Sequence, residues 1–209
     1  KQPSNIASLP FNDVNRFVED AKGNVWIGTN GGGLIYFNRA TNTYTQYRHS
    51  AVNTNSIASD VVVSLLIDHR QRLWIGTYLN GLDCLENGNF THYKNDPANL
   101  NSLSNNSIWE LYEDEKQNLW VGTLAGGLDR LDMQKHIFYK LAPTQKTVIN
   151  SLYISALCQD DEHNLWIGTG NGVNFLDNSG KVTHFANSPN HKSTISDHNV
   201  ICVLQDSSK

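Results

Sequence analysis

The segment Asn118-Leu119-Trp120-Val121-Gly122-Thr123-Leu124-Ala125-Gly126-Gly127-Leu128 occurs, with few changes, four times in a sequence of 209 residues. The tryptophans of the four copies are Trp26, Trp74, Trp120 and Trp166, at intervals of 48, 46 and 46 residues. A fixed period of that size is typical of a chain built from stacked supersecondary units. The period therefore predicts one array of such units rather than several independent domains.

Each unit carries the pattern of four short antiparallel strands. A first strand, rich in branched and aromatic residues, ends at an aspartate six residues before the tryptophan, and its apolar residues predict a buried strand. The tryptophan strand follows a polar hairpin loop, and a Gly-rich turn and two further strands complete the unit. The predicted first strands cover residues 14–20, 62–68, 108–114, 154–160 and 200–206. Four strands in about 46 residues predict an all-β fold made of β-propeller blades.

The repeated tryptophan, glycine and aspartate are interpreted as parts of the scaffold. The glycine follows the tryptophan by two residues, so both lie on one face of the strand. We expect the indole of one unit to pack across its neighbour's sheet, where the glycine leaves room. The repeated aspartates are Asp20, Asp68, Asp114 and Asp160, and each is expected to accept hydrogen bonds from the backbone N–H groups of its own turn.

The length corresponds to roughly four and a half units. We predict blade 1 at about 11–50, blade 2 at about 58–97, blade 3 at about 104–143, blade 4 at about 150–188 and the start of blade 5 at about 196–209. A ring of four and the front part of a larger ring both fit this count. The unfinished fifth unit and a first residue, Lys1, that is not methionine favour the second arrangement, a piece of a longer chain.

Composition and charge exclude several classes of function. A net charge of −4 without a basic stripe argues against nucleic acid as a partner. The sequence has no run of about 18 apolar residues, so we predict no membrane span within it. The eight histidines show no pair at metal-ligand spacing, and we therefore predict no metal site and no cofactor.

The run DEKQNLWVGT at residues 114–123, with Gly126-Gly127-Leu128, resembles the two-component-regulator propeller repeat. The lead-in at residues 95–108 is also similar to that repeat, and residues 53–57 and 193–197 echo it. The resemblance implies a seven-bladed propeller in the periplasmic sensor region of Bacteroidetes hybrid histidine kinases. Several members of that family sense oligosaccharides, so the resemblance implies a non-catalytic, carbohydrate-sensing module for signal transduction. Its partners would include the remaining blades and the downstream sensor domains of a parent chain.

Recognition in a repeat protein is expected where the copies differ. Two adjacent first-strand positions vary most, and Trp109, next to Glu110, is the only tryptophan outside the repeated position. An aromatic face flanked by hydrogen-bonding groups suits a sugar ring. The candidate ligand-binding residues are Asn15, Arg16, Asn105, Asn106, Trp109, Glu110 and His198. The alternative interpretation of Trp109 is that its ring fills space between blades.

Two other functions remain open at this point. The chain could serve as an interaction scaffold or dimerisation module without a small ligand. An enzyme would need acid, base or metal groups that converge from several blades. The variable positions offer one glutamate and one arginine, so we predict no catalytic residues.

Overall fold

The structure, a computed structural model, describes residues 8–141, 149–187, 195 and 197–206. These residues form sixteen strands in four antiparallel sheets of four strands each, and they include no helix. The described ranges therefore hold no helix that is long and apolar enough to cross a membrane. The predicted all-β fold of four-stranded blades is confirmed.

Each blade takes its four strands in sequence order, so that every repeat is one meander. Blade 1 contains β1 (Val14–Glu19), β2 (Val25–Thr29), β3 (Leu34–Asn38) and β4 (Thr43–Tyr47). Blade 2 contains β5 (Val62–Ile67), β6 (Leu73–Thr77), β7 (Leu82–Glu86) and β8 (Asn89–Tyr93). Blade 3 contains β9 (Ile108–Glu113), β10 (Leu119–Thr123), β11 (Leu128–Asp132) and β12 (Ile137–Leu141). Blade 4 contains β13 (Ile154–Gln159), β14 (Leu165–Thr169), β15 (Gly172–Leu176) and β16 (Val182–Phe185).

The repeated aspartate organises the turn between the first two strands. Asp68 Oδ1 accepts the backbone N–H groups of Arg70 and Arg72, each at 2.9 Å. Its other oxygen accepts the indole N–H of Trp74 at 2.9 Å, and the equivalent indole bonds in blades 3 and 4 measure 2.8 Å. The expected turn hydrogen bonds are confirmed. The indole bond, which the sequence did not predict, ties the turn to the tryptophan strand.

The glycine of the tryptophan strand makes room for an aliphatic side chain of the next blade. A Cβ atom at Gly28 would lie 2.5 Å from Cγ1 of Val62, and one at Gly76 would lie 2.8 Å from Cγ2 of Ile108. The expectation that the indole uses this space is wrong. Two residues of a strand span about 7 Å, so the tryptophan and the glycine face different parts of the neighbouring sheet.

Two of the four repeated indoles nevertheless pack against the next blade, as predicted. Trp26 packs against the buried cluster that contains Leu73 and Leu85 of blade 2. Trp120 belongs to a buried cluster with Leu157 and Leu165 of blade 4. These two tryptophans therefore contribute to the packing of neighbouring blades.

A second link between blades comes from the Gly-rich turn after the tryptophan strand. The turn glycines have φ angles between 76° and 99°, which glycine adopts at little cost. Each donates its backbone N–H to a carbonyl in the lead-in of the next blade. These hydrogen bonds are Gly33 to Asp60 at 2.8 Å, Gly81 to Asn106 at 2.8 Å, Gly127 to Leu152 at 2.9 Å and Gly172 to His198 at 2.5 Å.

Strand β1 departs from the prediction that all first strands are buried. Phe17 is 70% exposed, whereas its counterparts Leu65, Leu111 and Leu157 are 6%, 4% and 8% exposed. Within the described ranges no preceding sheet covers this face of blade 1. The exposure is therefore a consequence of position in the array and not of residue type.

The chain divides into two compact units. Unit 1 comprises residues 1–95 and 106–111, and unit 2 comprises residues 96–105 and 112–209. The core of unit 1 includes Leu34, Val62 and Ile75, all with no solvent exposure. The core of unit 2 includes Leu128, Ile154 and Ile167, which are equally buried. Each unit thus has a hydrophobic core between two neighbouring sheets.

Residues 200–206, the predicted first strand of a fifth blade, form no strand. Within the described residues no strand follows them with which they could pair. Val200 still takes the place of its counterparts, because its Cγ1 lies 3.0 Å from the Cβ position of Gly168. Residues 196 and 207–209 of the predicted blade 5 lie outside the described residues, and the seven-bladed ring stays a prediction.

Candidate functional site

An ion pair joins two of the predicted site residues in unit 1. Arg16 on β1 donates from Nη2 to Oε2 of Glu110 on β9, although 94 residues separate them in sequence. The Arg16 side chain is 43% exposed and the Glu110 side chain is 18% exposed. A half-exposed guanidinium beside a mostly buried carboxylate can exchange part of this pairing for polar groups of a ligand.

Burial and pairing act in opposite directions on Glu110. Burial raises the pKa of its carboxyl group, and the charge of Arg16 and its hydrogen bond offset part of that increase. The carboxylate therefore depends on Arg16 for stabilisation of its charge. A ligand that displaced Arg16 would have to supply a hydrogen-bond donor in its place.

Asn15 and Trp109 occupy the same repeat position, one residue before Arg16 and Glu110 respectively. A bulge places Asn15 between the paired residues of β1, and its Nδ2 donates to the carbonyl of Val62 at 2.8 Å. Ser155, the counterpart in blade 4, donates to a carbonyl of the following segment in the same way. Asn15 thus links two blades, and Trp109 places an indole, partly exposed, at this position in blade 3.

Asn106 and His198 share another repeat position and serve the scaffold through their backbones. The carbonyl of Asn106 accepts the backbone N–H of Gly81, and the carbonyl of His198 accepts that of Gly172. The side chain of Asn106 also accepts the backbone N–H of Asn95 at 2.7 Å. Asn105 lies beside Gly126, where an added Cβ would come within 2.9 Å of its own Cβ.

The structure therefore brings some of the predicted rim residues together and separates others. Arg16 and Glu110 are brought together, with Trp109 adjacent to Glu110 in β9. Asn15 and Asn106 make fixed contacts with the scaffold. Asn105 and His198 belong to unit 2, whereas the other five residues belong to unit 1.

Sequence reasoning missed a buried polar position on the third strand. Asp83, Asp129 and Asn174 have no solvent exposure, and each accepts a backbone N–H from the lead-in of its own blade at 2.7, 2.7 and 3.1 Å. Asp83 also pairs with Nδ1 of His92 at 2.7 Å. The available signal was an Asp or Asn directly after the aligned Leu or Val of the third strand, at Leu82, Leu128 and Val173.

No group of three or more His, Cys, Asp or Glu side chains in the described part of the chain is placed to hold a metal ion. The polar groups of the candidate site are the guanidinium of Arg16 and the carboxylate of Glu110, and Trp109 precedes Glu110 in β9. Such a set can orient a ligand through hydrogen bonds and stacking.

The repeats match a known family model. The model for the two component regulator propeller matches residues 8–31, 56–79, 102–125 and 148–171. The chain is built from two component regulator propeller repeats. Each matched segment includes a tryptophan strand with its preceding first strand, which confirms the resemblance seen in the sequence.

Proteins of known structure share the arrangement of these propeller repeats. The extracellular domain of a protein assigned as a hybrid two component system from B. thetaiotaomicron superposes with a TM-score of 0.80 over 98% of this chain and 26% of its own, at 24% identity. Virginiamycin B lyase from Staphylococcus aureus superposes with a TM-score of 0.64 over 85% of this chain and 57% of its own, at 17% identity. These likenesses show the propeller fold.

A curated relative also contains a similar segment. Histidine kinase P4 from Formosa agariphila is 35% identical over 65 residues, which cover 31% of this chain and 5% of that protein. The chain spans about a quarter of the first structure, and the match covers a small part of the histidine kinase.

Proposed function

We propose that this chain is a non-catalytic, ligand-sensing propeller module of a hybrid two-component receptor. The four regulator propeller repeats carry the proposal. The similar structure from B. thetaiotaomicron is an extracellular domain, which supports a periplasmic location with the remaining blades and downstream sensor domains as partners. Because a lyase has the same fold, an enzyme is the competing class of function. At 17% identity, however, the likeness says nothing about an active site in this chain.

The proposed ligand is carbohydrate-derived, and Trp109, Glu110 and Arg16 are its contacts. A sugar ring presents C–H groups that stack on an indole and hydroxyl groups that pair with a carboxylate or guanidinium. The Arg16–Glu110 pair supplies both kinds of charged partner at one place in unit 1. This geometry favours neutral, hydroxyl-rich ligands.

Glycan-array screening followed by calorimetric titration tests the proposal. Trp109→Ala is expected to weaken binding of the selected glycan about tenfold or more, since each factor of ten corresponds to about 1.4 kcal/mol. Val63→Ala is the matched control, because Val63 holds the same repeat position in blade 2. It should leave the affinity unchanged.

Two outcomes would remove the proposal. If Trp109→Ala binds the glycan as tightly as the wild-type protein, the assignment of these contacts is wrong. If no glycan binds and the protein instead forms a concentration-dependent dimer in sedimentation experiments, the interaction scaffold replaces the sensor. The exposed Phe17 on β1 would then be the first surface to consider.

A further inference from the structure

A cavity of about 420 Å³ lies between blades 1 and 2, entirely within unit 1. Its aromatic wall consists of Trp26, Tyr36 and Tyr47, with ring centroids 4.5 Å (Trp26 to Tyr36) and 5.6 Å (Trp26 to Tyr47) apart. Leu73 and Leu85 of blade 2 also line it. Pockets for small ligands usually measure roughly 300–1,000 Å³, so this cavity is large enough for one.

The equivalent junction in unit 2 carries an ion pair between blades. Glu115 of blade 3 pairs with Nδ1 of His163 of blade 4 at 2.7 Å, and its backbone N–H donates to Gln159 at 3.1 Å. Ala21 and Gln71 hold the repeat positions of Glu115 and His163, and both line the cavity. At this cavity a methyl group and an amide therefore stand in place of the ion pair.

Asp20, at the edge of this cavity, differs from its counterparts. In blades 2, 3 and 4 the equivalent Oδ2 accepts an indole N–H at 2.8–2.9 Å. At Asp20 the same oxygen is reached by the Tyr36 hydroxyl and the Asn24 amide, each at 3.4 Å. Contacts of that length leave the carboxylate able to accept a shorter hydrogen bond from a ligand.

Blade 4 has a similar group of rings, Trp166, Phe175 and Phe185, but the tyrosine hydroxyl in this group is specific to blade 1. Tyr36 lies across the strand pair from Trp26, and the residues at its position in blades 2, 3 and 4 are Cys84, Arg130 and Phe175. In blade 1 the tyrosine adds both a ring and a hydroxyl group beside the carboxylate. An exposed ring surface next to a hydrogen-bond acceptor is therefore found at this junction.

We propose that this cavity is a second ligand site that binds a polyhydroxylated ring. The C–H face of the ring stacks on Trp26 and Tyr36, while its hydroxyl groups bond to Asp20 and to the amides of Gln71 and Asn87, which line the opposite side. The wall offers no excess of positive charge for a phosphate. This site does not depend on the Trp109 site and can be tested without it.

Ligand-observed saturation-transfer NMR and titration with methyl glycosides of glucose, galactose and mannose provide the test. At least one glycoside is expected to bind the wild-type protein. The double variant Ala21→Glu/Gln71→His, which places the larger ion-paired side chains of the unit 2 junction at the cavity, should weaken that binding at least tenfold. Tyr36→Leu, which removes part of the wall and leaves the turn intact, should give a comparable loss.

Two control variants separate this proposal from the others. Glu115→Ala/His163→Gln removes the ion pair of the unit 2 junction and should leave glycoside binding unchanged. Glycoside binding that persists in Trp109→Ala, which removes the site of the proposed function, belongs to this cavity. The inference is overturned if none of the three glycosides binds, or if both cavity variants bind as tightly as the wild-type protein.

Discussion

At the residue scale, the buried acceptor on the third strand explains how the lead-ins of blades 2, 3 and 4 are held. Asp129 has no solvent exposure and accepts the backbone N–H of Ser104 at 2.7 Å. Burial raises the pKa of Asp129 to about 6 from its usual value of 3.8, against the lowering effect of its hydrogen bonds. Blade 4 fills the same position with Asn174, so the acceptor need not be charged.

The free energy of unfolding is expected to fall as the pH rises and Asp129 loses its proton. The folded state holds this proton more tightly than the unfolded state, so the free energy of unfolding falls between pH 3.8 and about 6. A difference of about two pKa units corresponds to about 3 kcal/mol. Asp129→Asn keeps the acceptor and should be more stable than the wild type at pH 7, by up to that amount. Urea unfolding at a series of pH values measures the difference.

Asp132→Asn is the control for this experiment. Asp132 lies on the same strand, and the backbone N–H of Lys135 lowers its pKa. The difference in the free energy of unfolding between Asp132→Asn and the wild type should therefore stay constant between pH 4 and pH 6. If Asp129→Asn follows the wild-type pH dependence throughout, the role given to this carboxyl group is incorrect.

At the element scale, two turns of blade 2 contain glycines in different surroundings. Gly81 has a φ of 90°, and a Cβ there would lie 2.1 Å from the carbonyl oxygen of Tyr93. Gly88, in the next turn of the same blade, has a φ of 81° with no atom within 4 Å of the Cβ position. The two glycines share the left-handed conformation and differ in the approach of a second backbone segment.

This difference predicts unequal costs for the same substitution. Gly88→Ala should lower the free energy of unfolding by about 1–2 kcal/mol, the cost of a left-handed alanine. Gly81→Ala should cost more, at about 3 kcal/mol or above, because the Tyr93 carbonyl must also move. Denaturant unfolding of the two variants tests this order, and equal costs would show that backbone conformation alone decides the effect.

The sequence predicted the elements well because their signals are local. The Asp–Trp–Gly period determined the strand order, and residues within six positions of each other make the Asp68 turn. Partners across blades were not predictable in the same way. That Val62 fills the space at Gly28, or that Ala21 and Gln71 line a cavity, depends on how two sheets stack, and no single strand encodes that geometry.

In the candidate site, too, the sequence identified residues but not the partners that they contact. Sequence variation at one repeat position identified Arg16 and Glu110, and the structure joins them. The predicted rim also included Asn15 and Asn106, whose side chains bond to neighbouring backbone groups. Asp20 was assigned to the scaffold because it repeats, although its partner Tyr36 does not. Variation at one position must therefore be considered together with the residue packed against it.

At the scale of the whole molecule, the stability of the array depends on contacts between neighbouring sheets. The Gly28 position lies against Val62, whose side chain has no solvent exposure. Gly76 and Gly168 lie against aliphatic residues at the same repeat position. The glycine of the tryptophan strand is therefore the residue that lets one blade approach the next.

A double-mutant cycle between Gly28 and Val62, measured by equilibrium unfolding, tests this claim most directly. Gly28→Ala alone should cost about 1–3 kcal/mol through overpacking. In the Val62→Ala background it should cost little, because the atom 2.5 Å from the new methyl group is gone. We predict a coupling energy of about 1 kcal/mol or more. Effects that add to within about 0.5 kcal/mol would contradict the account, since the glycine would then not be making room for Val62.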